Sequence, residues 1–192
     1  MIAVSVHARR SRAADADLAM VLAVIAGSGL LLVRTSFIGL PVTVGVFAAL
    51  YAVLGSASLA ATVTRGDAPS LSPVVVAATG IAAIVLAAWL VRPGFLVPHG
   101  PEVLLLNSLA AVSEELFFRR LVYGGLVRFG AAIAIGGSAL LFAALHVPIY
   151  GPAVFWVDLG AGLLLSWQRW ASGGWGAPAT THVVANLVAV LR

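Results

Sequence analysis

Cysteine is absent from this 192-residue chain. Its absence excludes disulfides, thiolate catalysis and cysteine-bound zinc or iron–sulfur centres. Lysine is absent too, so all eleven basic residues are arginine. Charge of either sign is scarce: 9% of residues carry it, against about 25% in a soluble domain. With 61% hydrophobic residues and a mean hydropathy of +1.08, an ordinary soluble domain is excluded. The composition is that of a one-domain, all-α, polytopic transmembrane helical bundle. A net charge of +4 could suggest nucleic acid, but the arginines are scattered at segment ends. That pattern reads as membrane topology and not as a phosphate-binding face.

What is present is a series of apolar runs: Leu18–Val33, Phe37–Leu54, Pro73–Val91, Val103–Val127, Ala131–His146, Pro152–Trp167 and Ala177–Leu191. A membrane-crossing helix needs about 20 residues; the first four runs reach that range and the last three are short. Seven spans is the direct count, with six or eight left open. Residues 1–17 read as a cytoplasmic N-terminal tail and 18–101 as N-terminal transmembrane helices. With the N-terminus inside, eight arginines (Arg9, Arg10, Arg12, Arg65, Arg119, Arg120, Arg128 and Arg169) fall on the cytoplasmic side and three (Arg34, Arg92 and Arg192) on the other. This positive-inside bias orients the chain. Trp156, Tyr150 and Trp175 lie near segment ends, as an aromatic belt would.

The stretch Ala111–Arg120 departs from this economy, with two adjacent carboxylates and two adjacent guanidinium groups inside an apolar run. Ionised groups at membrane depth cost several kcal/mol, so they mark function or a paired network. On a helix, Glu115 and Arg119 sit at i, i+4, about 40° apart, with the acid N-terminal in the favourable order. Glu114 points about 100° away and does not share that partner. Glu115–Arg119 is therefore expected to be a structural pair, and Glu114 the carboxylate available for chemistry. Arg119 is taken to mark the cytoplasmic interface.

Two histidines also lie in apolar segments. His146 closes Phe142-Ala-Ala-Leu-His146, and His182 opens His182-Val-Val-Ala-Asn186. The i, i+4 spacing places Phe142 under His146 and projects His182 with Asn186. Glu114, His146, His182 and Asn186 thus come from three helices and could converge. His7 and His99, in the tail and a loop, receive no role.

Glu-Glu-x-x-x-Arg (Glu114, Glu115, Arg119), Phe-x-x-x-His (Phe142, His146) and His-x-x-x-Asn (His182, Asn186), each on its own hydrophobic segment and in this order, resemble the CPBP family. These are the CAAX-protease and bacteriocin-processing intramembrane proteases related to Rce1, also called Abi proteins. The resemblance covers residues 102–192, the expected catalytic transmembrane core. Arg120 departs from it, since many relatives carry a small residue there.

The resemblance implies an intramembrane endopeptidase, a hydrolase acting on a membrane-anchored or hydrophobic peptide or protein, of CAAX type or a bacteriocin-like peptide. It implies that Glu114 with His146 binds and deprotonates the attacking water. His182 and Asn186 stabilise the oxyanion, and Glu115, Arg119 and Phe142 support the site. Amide hydrolysis without a side-chain nucleophile needs such a base and such donors. Zinc on Glu114, His146 and His182 is a legitimate ligand set, but His-Glu-x-x-His is absent. Glutamate-activated water without an obligatory metal is favoured, although the family is often labelled metalloprotease. The lipid bilayer is the expected surrounding, in a bacterial plasma membrane, with no nucleic-acid partner.

Plainer roles compete for each group. The acidic pair and arginines can form a neutral packing network, and His146 can cap a carbonyl before Pro148. His182 and Asn186 can be interhelical glue. Asp158 and Asn107 read as polar packing residues outside the site, and Gly136, Gly137, Gly160 and Gly162 as close helix contacts. Two other functions remain in play: a non-proteolytic immunity or scaffold protein, and a transporter with a proton relay, for which no inverted repeat is visible.

Overall fold

The computed structural model describes residues 2–33, 44–61, 63, 69, 71–90 and 101–191, with only the backbone described for 2–14 and 16. Arg34, Arg65, Arg92, His99 and Arg192, and the side chains of His7, Arg9, Arg10 and Arg12, lie outside the described residues. All regular structure among the described residues is helical: α1 (Ile2–Val33), α2 (Val44–Ala60), α3 (Pro73–Leu90), α4 (Pro101–Glu115), a π-helix (Leu116–Val122), α5 (Tyr123–Leu126), a 3-10 turn (Val127–Phe129), α6 (Ala131–Tyr150), a second 3-10 turn (Pro152–Val154), α7 (Phe155–Ser172) and α8 (Gly176–Val190).

Several boundaries differ from the pattern of apolar runs, for physical reasons. α1 begins at Ile2 because the polar tail continues the helix. α2 runs through Gly55 to Ala60, beyond the expected end at Leu54. Gly55 is there a packing residue and not a turn: a Cβ on it would meet Ser113 Oγ at 3.3 Å. α6 continues past His146 to Tyr150, with Pro148 inside its last turn, where a missing N–H removes at most one helical bond. Glycines stop the later helices, Gly151 at φ 86° after α6 and Gly173 at φ 69° after α7, a region L side chains seldom adopt.

The core gathers around the π-helix. Phe117, Phe118, Leu121 and Val122 pack with Leu31 of α1, Leu54 of α2, and Phe142 and Leu145 of α6. α6 lies along α7, and α4 lies between α2 and α8. The α6–α7 contact is close because Gly162 carries no side chain; a Cβ there would stand 3.0 Å from Ala139 Cα. Gly137 makes a similar approach to Leu126, whereas Gly136 and Gly160 have nothing within 4 Å and are not close contacts.

α3 is built differently. It and α6 are the described helices long and apolar enough to cross a membrane, by length and composition. Of its eighteen residues only Val76 and Gly80 are buried; Val74 is 77% and Trp89 71% exposed. A core helix of a soluble protein hides such a surface, so this face fits lipid.

Candidate active site

The sequence places Glu114 and Glu115 at the end of α4, where regular helical winding gives way to the π-helix. Widened turns of this kind recur at functional sites, and here they are braced from outside. Ser138 Oγ donates to the Phe118 carbonyl at 2.8 Å, and Arg169 Nε donates to the Arg119 carbonyl at 3.0 Å. Arg169 also lies over the Tyr123 ring, 5.0 Å from its centroid. The expectation of a simple helix across Val103–Val127 is corrected accordingly. The reason is tertiary: partners on α6 and α7 hold carbonyls that an α-helix would keep for itself.

Arg119 is fully buried. Its Nε stands 3.2 Å from Glu115 Oε2, an ion contact without hydrogen-bond alignment. Nη2 donates to the Gly162 carbonyl at 3.3 Å, and the guanidinium lies 4.7 Å from the Phe142 ring centroid. A guanidinium between a carboxylate, a carbonyl and an aromatic face is held by charge and cation–π attraction together.

Glu115 has a second partner that spacing along the chain did not show. His182 Nδ1, on α8, lies 2.9 Å from Glu115 Oε1. A carboxylate can only accept, so Nδ1 carries the proton and Nε2 is the atom His182 presents. The other imidazole has the same polarity. His146 Nδ1 donates to the Phe142 carbonyl at 2.8 Å, leaving Nε2 directed at Glu114 Oε2, 3.7 Å away. That gap is too long for a direct hydrogen bond and suits a bridging water.

Phe142 is the hub: its ring centroid lies 4.3 Å from that of His146, 5.8 Å from that of His182 and 5.1 Å from that of Phe118. Glu114, Glu115, Arg119, His146 and His182 are all buried. Asn186, one turn beyond His182, donates to the Asn107 carbonyl of α4 at 3.0 Å, which makes Asn107 its anchor. Asp158, on the first turn of α7, is half-buried, with its Oδ2 atom buried.

Residues 98–188 match the family model described as type II CAAX prenyl endopeptidase Rce1-like. Through this segment the chain is similar to the Rce1-like family. No curated protein and no solved structure gives a significant match. The matched segment contains every residue of the cluster just described, and the likeness is to a family of CAAX prenyl endopeptidases.

Arg120 donates through Nη1 to the carbonyls of Ser58 and Ala61. It caps the C-terminus of α2, where cations are favoured. Among the described residues no three His, Asp or Glu side chains are placed to hold one ion. Glu114, His146 and His182 as arranged do not make a three-ligand zinc centre.

Proposed function

We propose that this Rce1-like protein hydrolyses a peptide bond in a membrane-anchored substrate, with Glu114 as general base. The observation that carries the reading is the 3.7 Å separation of Glu114 Oε2 and His146 Nε2. Both atoms are acceptors in the neutral-imidazole state, so a water between them donates one hydrogen to each. Its lone pair is then turned toward a substrate carbonyl.

The chemistry follows by conserving protons. Glu114 takes a proton from the water as oxygen attacks the carbonyl carbon, and the carbonyl electron pair moves to oxygen. The tetrahedral intermediate collapses, the C–N bond breaks, and the protonated Glu114 delivers its proton to the departing nitrogen. His182 faces the oxyanion through Nε2. Because Glu115 holds the Nδ1–H, donation from Nε2 requires the doubly protonated ring, and Glu115 stabilises that imidazolium. Asn186, anchored on Asn107, supplies the second donor. Donors aimed at developing charge contribute about 2.7–4 kcal/mol each.

Several helices cross the bilayer in this reading, with the N-terminus cytoplasmic. Burial of Arg119 and Arg169 removes two arginines from the topological tally, and the remaining cytoplasmic excess keeps the same sign. The substrate is a CAAX-type or leader-like peptide whose scissile bond lies beside the membrane.

The test is cleavage of membrane-anchored peptides by purified protein in lipid nanodiscs. Wild type is expected to cut and Glu114→Ala to be inactive while folded, with no change on adding chelator. Cleavage undiminished by Glu114→Ala refutes the assignment of the base, and loss with chelator refutes a metal-independent mechanism.

A further inference from the structure

α6 does not end where its buried surface ends. His146 is its last buried residue, yet the helix winds one turn further to Tyr150. None of Val147, Pro148, Ile149 and Tyr150 is fully buried. Pro148 lies inside this turn, where its ring disfavours continued winding. Burial therefore does not account for the extra turn. What the turn accomplishes is the placing of one ring. Tyr150 follows His146 by four residues, on the same face, and stacks on the imidazole. The two centroids are 5.9 Å apart and the planes 16° from parallel, within the range of an offset aromatic stack.

The imidazole is thus flanked from both directions along the helix. Phe142, one turn before it, lies 4.3 Å away with its plane at 37°; Tyr150 stands one turn after. Phe142 is buried and Tyr150 is 60% exposed, so the row of three rings runs from the core to the outside. The hydrogen bond from Nδ1 to the Phe142 carbonyl fixes one atom of the ring and leaves its plane free to tilt about that atom. Tilting moves Nε2, which lies 3.7 Å from Glu114 Oε2, and a ring on either side opposes it. A place in the aromatic belt requires only that Tyr150 lie at headgroup depth. It does not require a ring nearly parallel to an imidazole.

Resting on the peptidase reading above, we infer that Tyr150 is a positioning residue whose ring steadies the His146 imidazole, so that Nε2 keeps its distance from Glu114 and holds the attacking water. Tyr150 acts through His146 and exchanges no proton. Reaction geometry is sensitive at this scale: a misplacement of about 1 Å can cost about a hundredfold in rate. One aromatic contact, weighed against the hydrogen bond that also holds the ring, accounts for about tenfold.

The experiment compares Tyr150→Leu, Tyr150→Phe and Trp156→Leu with wild type in nanodiscs. Trp156, 74% exposed, serves as the belt control. For a membrane-anchored peptide, Tyr150→Leu is expected to lower kcat about tenfold with KM unchanged. Tyr150→Phe, which keeps the ring, restores kcat to within about twofold of wild type, and Trp156→Leu leaves it unaltered. A second readout needs no turnover. The chain has 4 histidines, so its imidazole protons give few NMR signals, and His146 is assigned by the signal lost in His146→Gln. Tyr150→Leu is expected to move that signal downfield, as ring shielding is removed, and to broaden it; Tyr150→Phe leaves it in place. An unmoved His146 signal in Tyr150→Leu overturns the inference. So does a loss carried by KM alone, or a fall in kcat as large in Tyr150→Phe or Trp156→Leu as in Tyr150→Leu. If wild type cuts no peptide, the peptidase reading fails by itself, and the His146 signal still decides whether Tyr150 holds the ring.

Discussion

α3 buries only Val76 and Gly80, whereas α4 and the π-helix after it bury Glu114, Glu115 and Arg119 together. The first helix turns apolar side chains outward; the second region turns charges inward. Most outward-facing residues of α3 require only hydrophobicity, and many sequences meet that requirement. The inward charges require particular partners at particular distances, as the bond from His182 to Glu115 and the contact of Arg119 with Glu115 show. The family match, which begins at residue 98, follows the same division. Each region is tied to the rest of the bundle by polar contacts. Arg120 caps α2, and Gln168 Nε2 donates to Val76 of α3 at 2.7 Å and to Thr181 of α8 at 2.9 Å.

The sharpest way to break the contrast is to remove a buried charge. Arg119→Met leaves Glu115 buried without its counter-ion and is expected to cost about 3–5 kcal/mol, read as a large fall in thermal stability. Retention of wild-type stability would show that the pair is dispensable to the fold. Next comes His182→Ala. Loss of its oxyanion donor is expected to lower kcat about a hundred- to a thousandfold, with KM little changed. A KM effect alone would assign His182 to substrate binding.

A smaller effect is expected where the regions meet. A Cβ on Gly80 would stand 2.1 Å from Gln168 Nε2, so Gly80→Ala displaces that amide from both of its acceptors. Overpacking of this kind costs about 1–3 kcal/mol, measured by thermal unfolding in nanodiscs. Unchanged stability would show that α3 docks without the Gln168 bridge. The smallest effect belongs to the lipid-facing surface. Trp89→Ala on α3 is expected to shift stability by no more than about 0.5 kcal/mol; a larger loss would mean that this face is covered by protein.

Much of the site was legible because helical spacing is local. The i, i+4 relation of Glu115 and Arg119 and the stacking of Phe142 beneath His146 both follow from residue number alone. What stayed hidden depends on partners distant in the chain. The π-helix is braced by Ser138 and Arg169, and no pattern within Leu116–Val122 announces them. Glu115 meets His182 sixty-seven residues away, so its link to α8 was invisible from spacing. Arg119 stands near the end of an apolar run, and its complete burial depends on partners that the run itself does not reveal. The packing role of Gly55, beyond the expected end of its run at Leu54, rests likewise on a distant partner, Ser113.

The measurement closest to the centre of this account compares Glu114→Gln with Glu115→Gln in one preparation, for peptide cleavage and for thermal unfolding. The division of labour between the two adjacent acids predicts that Glu114→Gln loses about a thousandfold or more in turnover while unfolding as wild type does. Glu115→Gln, which leaves Arg119 and His182 without their common carboxylate, is predicted to lower the unfolding temperature markedly. Cleavage by Glu114→Gln within tenfold of wild type would contradict the account.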